Sequence, residues 1–274
     1  MWELHTENLR LAQNDIDESG LRSGCVFARM ANTVKVAMVA ALEREVRPLI
    51  KHWHGVEREY EGRRFKFFKN GDTVLICGGM GAEAARRATE AAIALYQPEL
   101  VQSVGFAGGL EPALKVGEIF SPSRVIDAGD GSSVETSTGA GVLVSTAAVA
   151  GTEQKRKLAE SYRAQAVDME AAAVARGAQA RHVRFMAVKA ISDESNFAMP
   201  VMDRFVDREG KFQSGRFVIY AALRPWLWRR VIQLAANSAK ASKTLCTELD
   251  RYINSARKPD VSRSELHPIS KAVN

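Results

Sequence analysis

Short apolar runs alternate with helical patterns along most of this chain. Residues 34–40 (Val-Lys-Val-Ala-Met-Val-Ala) form a first strand pattern, followed by Leu42, Val46, Leu49 and Ile50 at helical spacing. Pro48 is expected at the opening of that helix, where a missing N–H is tolerated. Residues 64–69 and 73–77 read as two strands joined by a turn at Asn70-Gly-Asp. The second strand runs through Cys77-Gly-Gly-Met-Gly into a helix whose buried face is Ala84, Ala88, Ala92 and Leu95. A further buried strand, residues 100–105, ends in Gly105-Phe-Ala-Gly-Gly-Leu. Residues 118–126 and 142–145 read as strands, with a mobile Gly/Ser/Thr-rich loop at 127–141 between them. The apolar run 185–191 is the last strand signal, and a long helical pattern covers 231–253. The alternation of strands and helices predicts a single α/β domain.

Two stretches carry candidate chemistry. Ala166-Val-Asp-Met-Glu-Ala-Ala-Ala places Asp168 and Glu170 where an Ala-rich helix begins. About twenty residues later Val188-Lys-Ala-Ile-Ser-Asp-Glu ends a strand at Ser192-Asp193. Open α/β sheets hold ligands at the carboxyl ends of their strands, so Glu170 and Asp193 are expected to share a pocket as an acid/base arrangement. The bland readings are helix capping for the first pair and a simple turn for the second.

Composition narrows the setting. The 274 residues are 46% hydrophobic and 26% charged, enough for a packed core. The three cysteines lack metal-ligand spacing, which supports neither a disulfide framework nor a zinc site and fits a reducing cytoplasm. The net charge of +6 permits anionic partners, but no nucleic-acid reading module accompanies it. The glycine spacing is not G-x-G-x-x-G, so a dinucleotide site is not expected. No stretch has the length of a membrane span.

Both ends of the chain read differently from its middle. Residues 1–32 are polar and without period, and Met30 is read as the natural start. They are assigned to an extension, 33–256 to the domain and 257–274 to a disordered tail. Trp226 and Trp228 beside Arg224, Arg229 and Arg230 suit either a docked C-terminal helix or peripheral contact with a membrane surface.

Together these motifs resemble the purine nucleoside phosphorylase and nucleosidase superfamily, and within it the methylthioadenosine/S-adenosylhomocysteine nucleosidases. The matching pieces are Val36-Ala-Met-Val-Ala-Ala-Leu-Glu-Arg-Glu-Val, Gly78-Gly-Met-Gly, Gly105-Phe-Ala-Gly-Gly-Leu, Leu114-Lys-Val-Gly-Glu-Ile, Ala166-Val-Asp-Met-Glu-Ala and Ala190-Ile-Ser-Asp. The resemblance implies a three-layer αβα sandwich around a mixed sheet, a nucleoside substrate, no cofactor or metal, and a homodimer. It implies Asp193, Glu45 and Glu170 as catalytic residues: Asp193 protonates the purine, Glu170 holds the ribose hydroxyls and Glu45 activates water. Met169, Gly79, Ser192, Phe106 and Gly108 would contact substrate. Ser103 and Phe106 stand where phosphorylases of the family bind phosphate, which favours hydrolysis. Arg47 is left as a candidate phosphate ligand. The C-terminal third is similar to hopanoid-associated phosphorylases, which implies an alternative: phosphate-dependent cleavage of an adenosyl-lipid such as adenosylhopane. A catalytically silent nucleoside-binding module is the third reading.

Overall fold

The computed structural model describes residues 34–197, 205, 213, 216, 220 and 223–257. The expectations for residues 1–32, for Met30 as a start and for the tail beyond 257 lie outside these residues. The elements in chain order are β1 (Val36–Ala40), α1 (Glu43–Ile50), β2 (His54–Tyr60), β3 (Arg63–Asn70), β4 (Thr73–Cys77) and α2 (Ala82–Tyr96). Then come β5 (Leu100–Gly109), β6 (Ile119–Phe120), β7 (Arg124–Asp127), β8 (Ser133–Glu135) and β9 (Val142–Ser145). The chain continues through α3 (Thr152–Tyr162), β10 (Ala166–Asp168), α4 (Ala171–Gln179), β11 (Arg184–Asp193) and α5 (Pro225–Arg257).

All of these strands join one mixed sheet, in the order β2-β3-β4-β1-β5-β10-β9-β7-β8, with β11 paired to β5 and β6. Strand β5 is the hub. Its first half lies parallel to β1, its last residues lie antiparallel to β10, and its other edge runs parallel to β11. Three elements that carry carboxylates therefore converge on the glycine-rich end of one strand. Both faces of the sheet are covered. The Ala-rich faces of α2 and α4 pack on one, and α1 with the C-terminal half of α5 packs on the other. This is the three-layer αβα arrangement.

Several elements depart from the sequence reading for identifiable reasons. Strand β2 was not anticipated; it pairs antiparallel with β3 through residues that are mostly polar and exposed, so it has no continuous apolar face to announce it. The loop at 127–141 contains β8, which forms a hairpin with β7 from Ile126↔Ser133 to Arg124↔Glu135. The strand expected at 118–126 is two short ones, interrupted at Ser121-Pro-Ser. Helix α3, in a polar stretch, was not anticipated either.

Pro48 lies inside α1 rather than at its opening. A proline there leaves the carbonyl four residues earlier without its helical donor. That carbonyl, Arg44 O, accepts from the Ser242 hydroxyl of α5 at 3.4 Å. Helix α5 is one 33-residue helix that begins at Pro225, the position where proline suits a helix start. Ala241, Leu245, Cys246, Leu249 and Ile253 bury its C-terminal half against α1 and the sheet.

Candidate active site

A cavity of about 410 Å³ opens at the glycine-rich end of β5. Glu45, Phe106, Gly108, Met169, Glu170, Ser192 and Asp193 all line it, as do Asp168, Lys155 and Lys189. Gly79 does not. Its neighbour Met80 takes that place, and the loop contributes through Gly81.

The two carboxylates at the start of α4 have separate duties. Asp168 Oδ2 accepts from the Ala171 N–H at 2.9 Å, and Oδ1 accepts from Ser145 Oγ at 2.5 Å. Ser145 Oγ in turn accepts from the Ala172 N–H at 3.0 Å. Asp168 also pairs with the buried Lys189 at 2.9 Å. It is thus the helix cap that the bland reading described, and its acceptor capacity is spent on protein. Glu170 occupies the N-cap position without capping its own helix. Its Oε1 reaches across to accept from the Gly81 N–H at 2.7 Å. Burial, and then the neighbouring Asp168 charge, push the Glu170 carboxyl upward, against the pull of Lys189 and two backbone N–H groups.

Glu45 enters from α1 and is 6% exposed. Its Oε2 has no hydrogen-bond partner among the described residues. Burial, with Glu170 adding repulsion, pushes its carboxyl up to about 8, and Arg44, Lys189 and the Phe106 N–H act in the opposite direction. The approach of β5 to this carboxylate is close. Gly105 has φ +147, and a Cβ there would lie 2.7 Å from Glu45 Oε2. Glycine alone fits.

Asp193 ends β11 just past a register shift between Ile191 and Asp193. Such a bulge re-aims the residue that follows it. Asp193 Oδ1 accepts from Ser192 Oγ at 2.7 Å, and Oδ2 is bound by the Lys155 ammonium. Both lysines escaped the sequence reading. Lys189, a single cation inside the apolar run 185–191, was the available signal: a charge on a buried strand needs a partner. Lys155 sits among Glu-Gln-Lys-Arg-Lys and gave none. The remaining wall is mostly apolar, with Leu42, Val149, Val231 and Leu234 beside the polar Arg44, Thr146 and Ser238.

Chemically, the cavity sets two carboxyls of raised proton affinity, the buried Glu45 and the half-buried Glu170, in one chamber with a carboxylate held by a cation. That combination can move protons on either side of a polar substrate. Among the described residues no group of three or more His, Cys, Asp or Glu could hold a metal ion.

The family model for the phosphorylase superfamily matches residues 35–145 and 134–213. The chain belongs to that superfamily. Among curated relatives, the 5′-methylthioadenosine/S-adenosylhomocysteine nucleosidase of Marinomonas sp. is 30% identical over 95 residues, 33% of this chain and 41% of that protein. The Hydrogenovibrio crunogenus nucleosidase is 33% identical over 96 residues, 34% of this chain and 41% of that protein. The aligned stretches thus span about two fifths of these relatives. Among solved structures, the Helicobacter pylori 5′-methylthioadenosine/S-adenosylhomocysteine nucleosidase superposes with a TM-score of 0.62 at 18% identity, over 82% of this chain and 99% of that one. Futalosine hydrolase from the same organism gives 0.61 at 18% identity, over 83% and 99%. These likenesses establish the nucleoside phosphorylase-like fold.

Proposed function

We propose that the protein hydrolyses the N-glycosidic bond of a purine nucleoside and releases adenine, in the manner named for its nucleosidase relatives. One observation carries this reading: a carboxyl oxygen, Glu45 Oε2, buried and without a partner among the described residues, in the chamber that also holds Glu170 and Asp193. A buried acceptor of that kind is suited to a polar reactant.

Breaking the bond to the base builds oxocarbenium-like positive charge on the sugar, as in glycoside hydrolysis. Glu170, fixed by the Gly81 amide, would hold the ribose hydroxyls and stabilise that charge, with Met169 against the sugar. Glu45 would take the proton of the attacking water; a carboxyl pushed up to about 8 is a stronger base than an ordinary glutamate. Asp193 would pass a proton to N7, so that the base leaves neutral.

A second reading, phosphorolysis, is favoured by Arg44 and Lys189, two cations that line the cavity beside Glu45. Arg47 is exposed on α1 and does not line it. An adenosyl-lipid remains the substrate of this second reading, and the apolar wall is compatible with it. Adenine release measured with and without phosphate separates the two. Release in neither buffer would favour a silent binding module.

The same reading includes a homodimer in the cytoplasm and peripheral contact with a membrane surface through α5. No described helix is long and apolar enough to cross a membrane. Trp226 is 72% exposed, with Leu223, Trp228 and Ile232 also exposed beside Arg229 and Arg230. An aromatic and aliphatic surface flanked by arginine suits the interface of an anionic bilayer.

A further inference from the structure

Asp193 has both carboxylate oxygens engaged. Oδ1 accepts from Ser192, and Oδ2 from the ammonium of Lys155. The same Nζ donates to the Glu194 carbonyl oxygen at 2.8 Å. Lys155 and Asp193 are each 2% exposed. The lysine is delivered by α3, on the far side of β10 in sequence, and its side chain forms part of the cavity wall. Gly108 makes room for the pair: a Cβ there would lie 3.0 Å from Asp193 Oδ2 and 3.2 Å from Lys155 Nζ.

Burying two charges in one place is costly, and apolar residues of like volume often serve stability as well or better. Lys189 and Asp168 form a second buried pair in the same wall, where they hold the start of α4; the Lys155 pair differs in that its carboxylate is the one the glycosidic-cleavage reading sets at the departing base. The proton arrangement is informative as well. In an ammonium–carboxylate contact the nitrogen is the donor, so Lys155 is placed to supply a proton through Asp193 Oδ2.

We infer that Lys155 is the proton source for the departing base and works through Asp193. This rests on the glycosidic-cleavage reading above. As the bond between C1′ and the base breaks, its electron pair passes into the purine. Asp193 Oδ2 gives a proton to N7 and takes one from Lys155 Nζ. Lys155 is left as a neutral amine hydrogen-bonded to the restored carboxylate. Water adds to C1′ and yields its proton to Glu45. One proton has left Lys155 and one has arrived on Glu45, so exchange with solvent resets both, and the sum is nucleoside plus water giving ribose and free base.

The test uses the full chain and two substrates that differ in their need for a proton. A purine nucleoside cleaved by the wild type requires protonation of its base. 4-Nitrophenyl β-D-ribofuranoside does not, because its phenolate leaves as an anion. Lys155→Arg keeps a cation on Asp193 but cannot release its proton. It should lower kcat on the purine nucleoside by about 10²–10⁴-fold, the range for loss of a general acid, with KM nearly unchanged. The ratio of the nitrophenyl rate to the purine rate should rise correspondingly. Lys155→Met should shift the ratio the same way if it folds; Lys155→Arg decides the matter if it does not. A purine rate that survives in Lys155→Arg, or equal losses on the two substrates, would overturn the inference and leave Lys155 a structural partner of Asp193. No base release by the wild type overturns the glycosidase reading and this inference with it.

Discussion

The backbone N–H of Gly81 donates to Glu170 Oε1 at 2.7 Å and so joins the loop after β4 to the start of α4. The glycine cluster thus serves a carboxylate of the protein itself, not the phosphates that such loops often cradle. One Glu170 oxygen is fixed by this bond, and the residue lines the cavity. Glu170→Gln should therefore reduce turnover of ribosyl substrates more than of their 2′-deoxy analogues. Steady-state kinetics on the two series checks this; equal losses would remove Glu170 from the ribose hydroxyls.

In the proposed hydrolysis, Glu45 links activity to stability with opposite signs. Its carboxyl lies near 4.5 when exposed and is pushed up to about 8 in the fold. Between those values the folded protein keeps a proton that the unfolded chain releases, so the contribution of this residue to stability falls as pH rises through that window. Glu45→Gln should raise the melting temperature, by more at pH 8.5 than at pH 5. The same substitution should abolish most turnover, because an amide cannot accept the proton from water. In the wild type, kcat/KM should climb with pH up to about 8. Melting curves and a pH–rate profile test the two halves separately.

Lys189 and Asp168 form a pair with almost no solvent contact. Lys189→Met would leave the aspartate buried without its cation, and about 3–5 kcal/mol of stability should be lost. Urea denaturation measures this directly. A loss below about 1 kcal/mol, the scale of exposed pairs, would contradict the assigned burial and pairing.

The exposed face of α5 makes a lipid prediction. Co-sedimentation with vesicles rich in anionic phospholipid should capture the wild type, and Trp226→Ser with Trp228→Ser should weaken capture severalfold. Equal capture of the double variant would exclude the tryptophans as the contact.

What could be read from the sequence follows from what each residue type reveals. Asp193 and Glu170 could be placed at one cavity because ligand pockets gather at the carboxyl ends of strands in open α/β sheets, although a turn and a helix cap were equally open readings of the two stretches. The capping role of Asp168 was not legible, since it depends on Ser145 and Lys189, distant in sequence. Strand β2 and helix α3 are mostly solvated and lack the periodicity that burial imposes. Pro48 looked like a helix start because its compensating partner, Ser242, lies 194 residues away. Lys155 acquires meaning only through a contact that α3 makes with the end of β11.

Hydrolysis of a purine nucleoside in this chamber is the proposal that one assay tests most directly. Adenine release from methylthioadenosine, S-adenosylhomocysteine and adenosine should be followed with and without phosphate. Release independent of phosphate is expected, with free ribose or its 5′-substituted form as the second product. Release only with phosphate, with a sugar-1-phosphate formed, would contradict it and move the nucleophile's site to Arg44 and Lys189.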